Sequence, residues 1–247
     1  MTAIRDDELP VAPGLLGPEG LELAAAVATE DGATVDSIEA RQALYTPGRS
    51  IAVNYHVHVS APGSASAERV VAAVAEAAGE TPGPNIRRWR GGEVGIWRFP
   101  EDPVLSGLPE TQDEQRLAEL LGYLNLEPRR VKVRPLVYRP LRRAVIRLSL
   151  RGDRLVFDRD AGRITMREGK RHIFLKVVRP NHADEIGRVH DELGAQLRVP
   201  TCYGSWNELG LLAFEGLPGL TLRDFIRLRE GAPPPGERLV EMLDTLP

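Results

Sequence analysis

Cysteine is nearly absent: Cys202 is the only one in 247 residues, so no internal disulfide can form and the fold must be stable in a reducing compartment. With no catalytic partner nearby in sequence, that thiol reads as a packing residue. Long apolar runs are also missing. Nothing approaches the roughly 18–20 residues that cross a bilayer, and LELAAAVATE at 21–30 is short and flanked by acids. The opening MTAIRDDELP is acidic and has no basic region leading into an apolar stretch, so no secretory signal is expected and the cytoplasm is the expected location. Neither sign of charge dominates. A net charge of -3 gives no global attraction to nucleic acid or to an anionic membrane, and neither is expected as a partner. Lysine is scarce, with three against 29 arginines.

What remains is ordinary for a globular chain: 42% hydrophobic and 27% charged residues, outside the range of disordered sequences. SIAVNYHVHVS at 50–60 alternates apolar and polar residues, which predicts a half-buried strand. EVGIWRF at 93–99 predicts another, and VKVRPLVYRP with RRAVIRLSLRG predicts two strands around a turn at Pro140. DRLVFDRDAGRITMRE at 153–168 predicts a hairpin turning at Asp160-Ala161-Gly162. Helices are expected near 21–28, over 117–126, over 181–197 and, from the valine spacing of ERVVAAVAEAA, over 68–78. Arg87, Arg88 and Arg90 read as solvated surface, and His56, His58, His172 and His190 as surface or boundary residues without a metal-binding partner.

The chain also repeats itself. ARQALYTPGRSIAVNYHVHV at 40–59 aligns without a gap on VRPLVYRPLRRAVIRLSLRG at 133–152, pairing Arg41 with Arg134, Tyr45 with Tyr138, Pro47 with Pro140 and Arg49 with Arg142. Further on, EVGIWRF at 93–99 resembles ELGLLAF at 208–214. The expected architecture is therefore α+β, two copies of one unit. An N-terminal segment (1–33) precedes a degenerate first copy (34–126) and a second copy (127–231), and 232–247 begins a further lobe. The first copy contains no lysine.

One of the three lysines, Lys176, stands inside the apolar run Ile173-Phe174-Leu175-Lys176-Val177-Val178. A buried ammonium is costly without a negative partner. The next segment, NHADEIGRVHDELGAQL, offers one. Asn181 is a candidate N-cap, and Ile186, Val189, Leu193 and Leu197 form an apolar stripe flanked by Glu185 and Glu192. Glu192 is the carboxylate expected to meet Lys176. Pro200 is expected to stop that helix, followed by a strand at TCYGSW, a tight turn at 207–210 and a strand at 211–214.

IFLKVV, RVHDELGAQL, VPTCYG and LGLLAFEGLPGLTLRDF together resemble the N-terminal lobe of the aminoglycoside phosphotransferase-like kinases, which include choline kinase-like and maltokinase-like enzymes. The resemblance covers about 130–231, and 34–110 as a weaker duplicate. It implies a protein-kinase-like N-lobe of antiparallel sheet plus one helix. It also implies ATP with Mg²⁺ as cofactors and a hydroxyl of a sugar, aminoglycoside or amino alcohol as acceptor. On that basis Lys176 holds nucleotide phosphates, Glu192 orients it, and Phe214, Glu215 and Leu217 form the adenine hinge. The glycine-rich phosphate loop is replaced by YRPLRRAV, so Arg142 or Arg143 is expected to supply charge, with Arg142 the assigned residue.

The family's catalytic His-x-Asp-x-x-x-x-Asn and its later metal-binding Asp are missing. His182-x-Asp184 has no Asn five residues on, and Asp160-Ala161-Gly162 reads as a turn. The chain is expected to bind nucleotide without turnover unless a catalytic lobe is supplied. The alternative expectation is a pseudokinase-like binding or scaffold module.

Overall fold

β-branched residues recurring at every second position build the centre of the molecule. In this computed structural model the described residues are 5–217, apart from 61–65, 79, 80, 82, 84, 125, 127, 159–162, 196 and 198, and apart from the side chains of 153–170. The first half begins with helices α1 (Ala12–Leu15) and α2 (Pro18–Ala28). It continues through strands β1 (Thr34–Thr46), β2 (Ser50–Ser60), β3 (Ala67–Glu76), β4 (Ile86–Trp89) and β5 (Gly92–Arg98). The second half runs α3 (Glu114–Tyr123), β6 (Arg130–Arg139), β7 (Arg143–Asp158), β8 (Arg163–Val177), α4 (Ala183–Gly194), β9 (Cys202–Trp206) and β10 (Leu211–Glu215). The protein is α+β with two antiparallel sheets. Their strand orders, β1-β2-β3-β5-β4 and β6-β7-β8-β10-β9, are the same.

The 93-residue offset of the sequence repeat also relates the first hairpin of each sheet, which ends at Thr46 against Ser50 in one and at Arg139 against Arg143 in the other. Ala52 pairs with Val74 in the first sheet as Val145 pairs with Lys176 in the second. Likewise, Ala72 pairs with Trp97 where Phe174 pairs with Phe214. Val74 thus stands where Lys176 stands, and Trp97 where Phe214 stands. That register is displaced by two residues from the Glu-x-Gly match of 93–99 with 208–214.

The repeat extends further back than the sequence comparison reached. Asp6 Oδ2 accepts hydrogen bonds from the Tyr45 hydroxyl at 2.6 Å and the Gly48 amide at 2.9 Å, while its Oδ1 caps the amides of Glu8 and Leu9. Asp102 does the same in the second half. Its Oδ2 accepts from Tyr138 at 2.8 Å and from the Leu141 amide at 2.9 Å, and its Oδ1 caps Val104 and Leu105. Each carboxylate pins a β-turn whose third residue is left-handed, Gly48 at φ 64° and Leu141 at φ 61°. The Tyr45 hydrogen bond is the main reason the Asp6 carboxyl lies below the usual carboxylate range.

One face of the first sheet, lined by Ile51, Val53, Tyr55 and Val57, is covered by α1 and α2. The segment marked off in sequence as 1–33 therefore supplies the cover of this sheet. In the second sheet the matching positions Ala144, Ile146, Leu148 and Leu150 pack with Leu117, Leu120 and Leu121 of α3. The first sheet's other face receives the second half. Ala72, Val74 and Trp97 share a core cluster with Tyr138, Leu141 and the second sheet. The described chain to Glu215 forms one compact unit.

Three expectations are corrected here. Residues 68–78 are not helical: β3 occupies them at the middle of the first sheet. Burial on both faces gives this strand a continuous apolar run, and Val71 and Val74 happen to fall at helical spacing. Asn181 does not cap α4. It has φ 64°, its amide donates to Asn207 O, and the helix starts after His182 with no side-chain cap. That helix also ends at Gly194, six residues before Pro200. The expected turn at 160–162 and everything expected beyond Leu217 lie outside the described residues.

Between β9 and β10 a short 3-10 turn (Asn207–Leu209) closes on Gly210, whose φ is 61°. A Cβ there would clash with Val178 O and lie 2.7 Å from Arg179 O. Gly210→Ala is expected to cost at least about 2 kcal/mol, from the left-handed penalty and the forced displacement of backbone. A urea midpoint unchanged from wild type would contradict that account.

Candidate functional site

The two faces of the second sheet differ in chemistry. Ile173, Leu175 and Val177 turn into the main core with Ile146, Leu148, Leu211 and Ala213. His172, Phe174 and Lys176 turn the other way, toward the side on which α4 lies. There Phe174 and Phe214 pack with Ala183, Ile186, Leu212 and Cys202. Lys176 is half-buried at mid-sheet, between Val145 of β7 and Leu212 of β10.

Its ammonium has no ion-pair or hydrogen-bond partner among the described residues. Burial, and secondarily the nearby Arg143 guanidinium, hold its pKa below the ordinary lysine value. The environment around it is cationic. Residues 129–152 contain nine Arg and Lys and no Asp or Glu, so the rest of the chain carries -3 - 9 = -12. Arg147, beside Phe174 in the register, is half-buried, and its buried Nε has no hydrogen-bond partner.

The structure does not bring Glu192 to Lys176. The positions of α4 turned toward the sheet are Ala183, Ile186, Gly187 and His190, and Val189 of the expected stripe is exposed. Glu192 follows His190 by two residues, about 200° around a helix. Its carboxylate instead pairs with Arg188 one turn back, in solvent. The ring aimed at the sheet belongs to His190, with its centroid 4.5 Å from that of Phe214 and its Nδ1 buried without a partner.

Arg142 is exposed, and Arg143 is the turn arginine whose charge reaches Lys176. The turn itself is committed. The Leu141 amide is held by Asp102, the Arg142 amide by Arg139 O, and Leu141 is buried in the core. At the expected hinge, Phe214 is buried on the Lys176 side of the sheet. The Glu215 amide donates to Thr201 O, and the Glu215 carboxylate accepts from the Thr201 amide and hydroxyl. Leu217 is exposed.

In the first half the equivalent face is filled. Val74 replaces the lysine and is 3% exposed. Trp97 Nε1 donates to the Tyr138 hydroxyl at 2.7 Å, and Asn54, at the position of Arg147, donates to Tyr138 O at 2.8 Å. Thus the β6–β7 turn occupies in the first half the surface that the second half presents around Lys176. Sequence reasoning named Arg143 beside Arg142 but assigned Arg142, and it missed Arg147 and the inward position of His190. The acid-free stretch at 129–152 was a readable signal for the two arginines.

Among the described residues, no cluster of His, Cys, Asp and Glu is placed to hold a metal ion, and no helix is long and apolar enough to cross a membrane. No family model, curated protein or solved structure matches the chain.

Proposed function

We propose that this chain is the nucleotide-binding N-terminal portion of a small-molecule phosphotransferase of the aminoglycoside phosphotransferase-like class. Its second half would be a kinase-like N-lobe and its first half a degenerate copy. The observation that carries the reading is the Lys176 ammonium, half-buried at the centre of a sheet face and without an ion-pair or hydrogen-bond partner among the described residues. A charge kept there without a protein partner is suited to an anionic ligand. Five antiparallel strands with one helix between the lysine strand and the next agree with the resemblance. ATP phosphates would lie on Lys176, with the base toward the end of β10 near Phe214 and Glu215. Transfer to a hydroxyl of a sugar, aminoglycoside or amino alcohol needs the catalytic Asp, the Asn and the Mg²⁺ ligands of a further lobe.

A second reading is favoured by the pinned turn and by the outward Glu192: a pseudokinase-like module that binds without catalysis. Titration with Mg-ATP separates the two readings when Lys176→Met is compared with wild type. On the enzyme reading, wild type binds and K176M does not; on the second reading, neither binds nucleotide. The same variant is expected to melt slightly higher than wild type, because it removes an unpaired, partly desolvated charge and keeps the aliphatic stem. The sign follows from the lowered pKa: the charged form is penalised in the folded state, so stability rises as pH climbs from the folded toward the unfolded lysine value. A K176M protein that melts lower than wild type would make Lys176 a structural residue.

A further inference from the structure

We infer that the anion on this face is held by a cradle of side chains, Lys176, Arg143 and Arg147, which takes the place of a phosphate loop. The site therefore selects a linear polyphosphate by its charge and does not depend on the nucleobase. The inference rests on the nucleotide-binding reading and names what that site recognises.

Three observations lead to it. First, the β6–β7 turn has no free backbone cradle, because the Leu141 and Arg142 amides are bonded internally and Leu141 is buried. Charge on a bound phosphate must then be met by side chains. Second, Arg143, Val145 and Arg147 alternate along β7 and so share a face. The register places Lys176 against Val145, directly between the two arginines on the neighbouring strand. Lys176 and Arg147 are diagonal neighbours, with backbones roughly 7–8 Å apart, within reach of long side chains. The two arginines are roughly 13 Å apart along the strand, which suits an extended chain of phosphates better than a single one. Third, Arg147 has a buried Nε with no partner and Lys176 has none either, while 129–152 contains no acid to neutralise them. Orphaned cationic donors are costly unless a ligand completes them.

The first half supplies a contrast. There the three matching positions are Ser50, Asn54 and Val74, and the face is closed by the Tyr138 turn. At these three positions cations stand only in the second copy.

The test is calorimetric titration of wild type, Arg147→Gln and Arg147→Lys with Mg-ATP, inorganic triphosphate, adenosine and a single-stranded oligonucleotide, with circular dichroism to verify folding. Triphosphate is expected to bind within about tenfold of ATP, with adenosine undetected. Both phosphate ligands should weaken roughly 10- to 100-fold in R147Q, and less in R147K, which keeps the charge but loses the fork. Binding should fall with added salt, since the site is half-open. ATP binding that is equal in wild type and folded R147Q overturns the cradle and leaves the nucleotide reading standing. Triphosphate binding without ATP binding supports the cradle and removes the nucleotide reading. Binding of neither removes both. An oligonucleotide that binds more tightly than triphosphate makes the face a nucleic-acid surface and overturns the inference.

Discussion

Asp102→Ala is expected to lower stability by about 3–5 kcal/mol, a large share of the roughly 5–15 kcal/mol that folds a typical protein. The carboxylate is 5% exposed and accepts four hydrogen bonds, from Tyr138, Leu141, Val104 and Leu105. Truncation leaves the Tyr138 hydroxyl and the Leu141 amide short of an acceptor in the core, at about 1–3 kcal/mol each. It also releases Leu141 from the left-handed conformation that its bond to Asp102 holds in place. Thermal unfolding should therefore begin about 6–20 °C lower, at roughly 2–4 °C per kcal/mol for a chain of this size. Asp6→Ala removes the same pattern of bonds from a half-exposed site and should cost clearly less. Equal losses from the two substitutions would show that burial does not set the value of the clamp.

That clamp also marks how far sequence reasoning reached. The alternation in SIAVNYHVHVS and the repeat of Tyr45 and Pro47 at Tyr138 and Pro140 were readable, because side-chain period and turn chemistry are local properties. The aspartates were not. Asp6 lies 39 residues before Tyr45 and Asp102 lies 36 before Tyr138, so an ungapped comparison cannot align them. β3 was misread because a strand buried on both faces loses the alternation that identifies it. Lys176 was legible as an ammonium in an apolar strand, and its unpaired state is what makes it informative. Glu192 fails as its partner because the stripe of Ile186, Val189, Leu193 and Leu197 does not set the phase of α4: Val189 is exposed, and the small residues Ala183 and Gly187 let their side of the helix approach the sheet. Short apolar stretches do not fix helix phase when small residues make the contact.

Trp97→Ala is expected to be the other severe substitution, with a qualitative signature. The indole is fully buried in the cluster that contains both sheets, and it donates to the Tyr138 hydroxyl. Removing a buried tryptophan ring costs about 3–5 kcal/mol in lost apolar burial and residual cavity. Trp97→Phe keeps most of the volume and should lose about 1–2 kcal/mol, mainly the hydrogen bond. The position matters more than the size of the loss. Trp97 belongs to the first sheet, while Tyr138, Ile146 and Leu148 belong to the second half, so the indole ties together two copies that each have their own helix and sheet. Wild type should unfold in one transition, and W97A should unfold in two, since the first half retains its separate core beneath α1 and α2. Differential scanning calorimetry reads this directly, and a single lowered transition would mean that the halves have no independent stability. Because Trp97 and Asp102 both act on Tyr138, their effects should not add. Once either is gone the Tyr138 turn is already loosened, and the W97A/D102A double variant should lose less than the sum of the single losses.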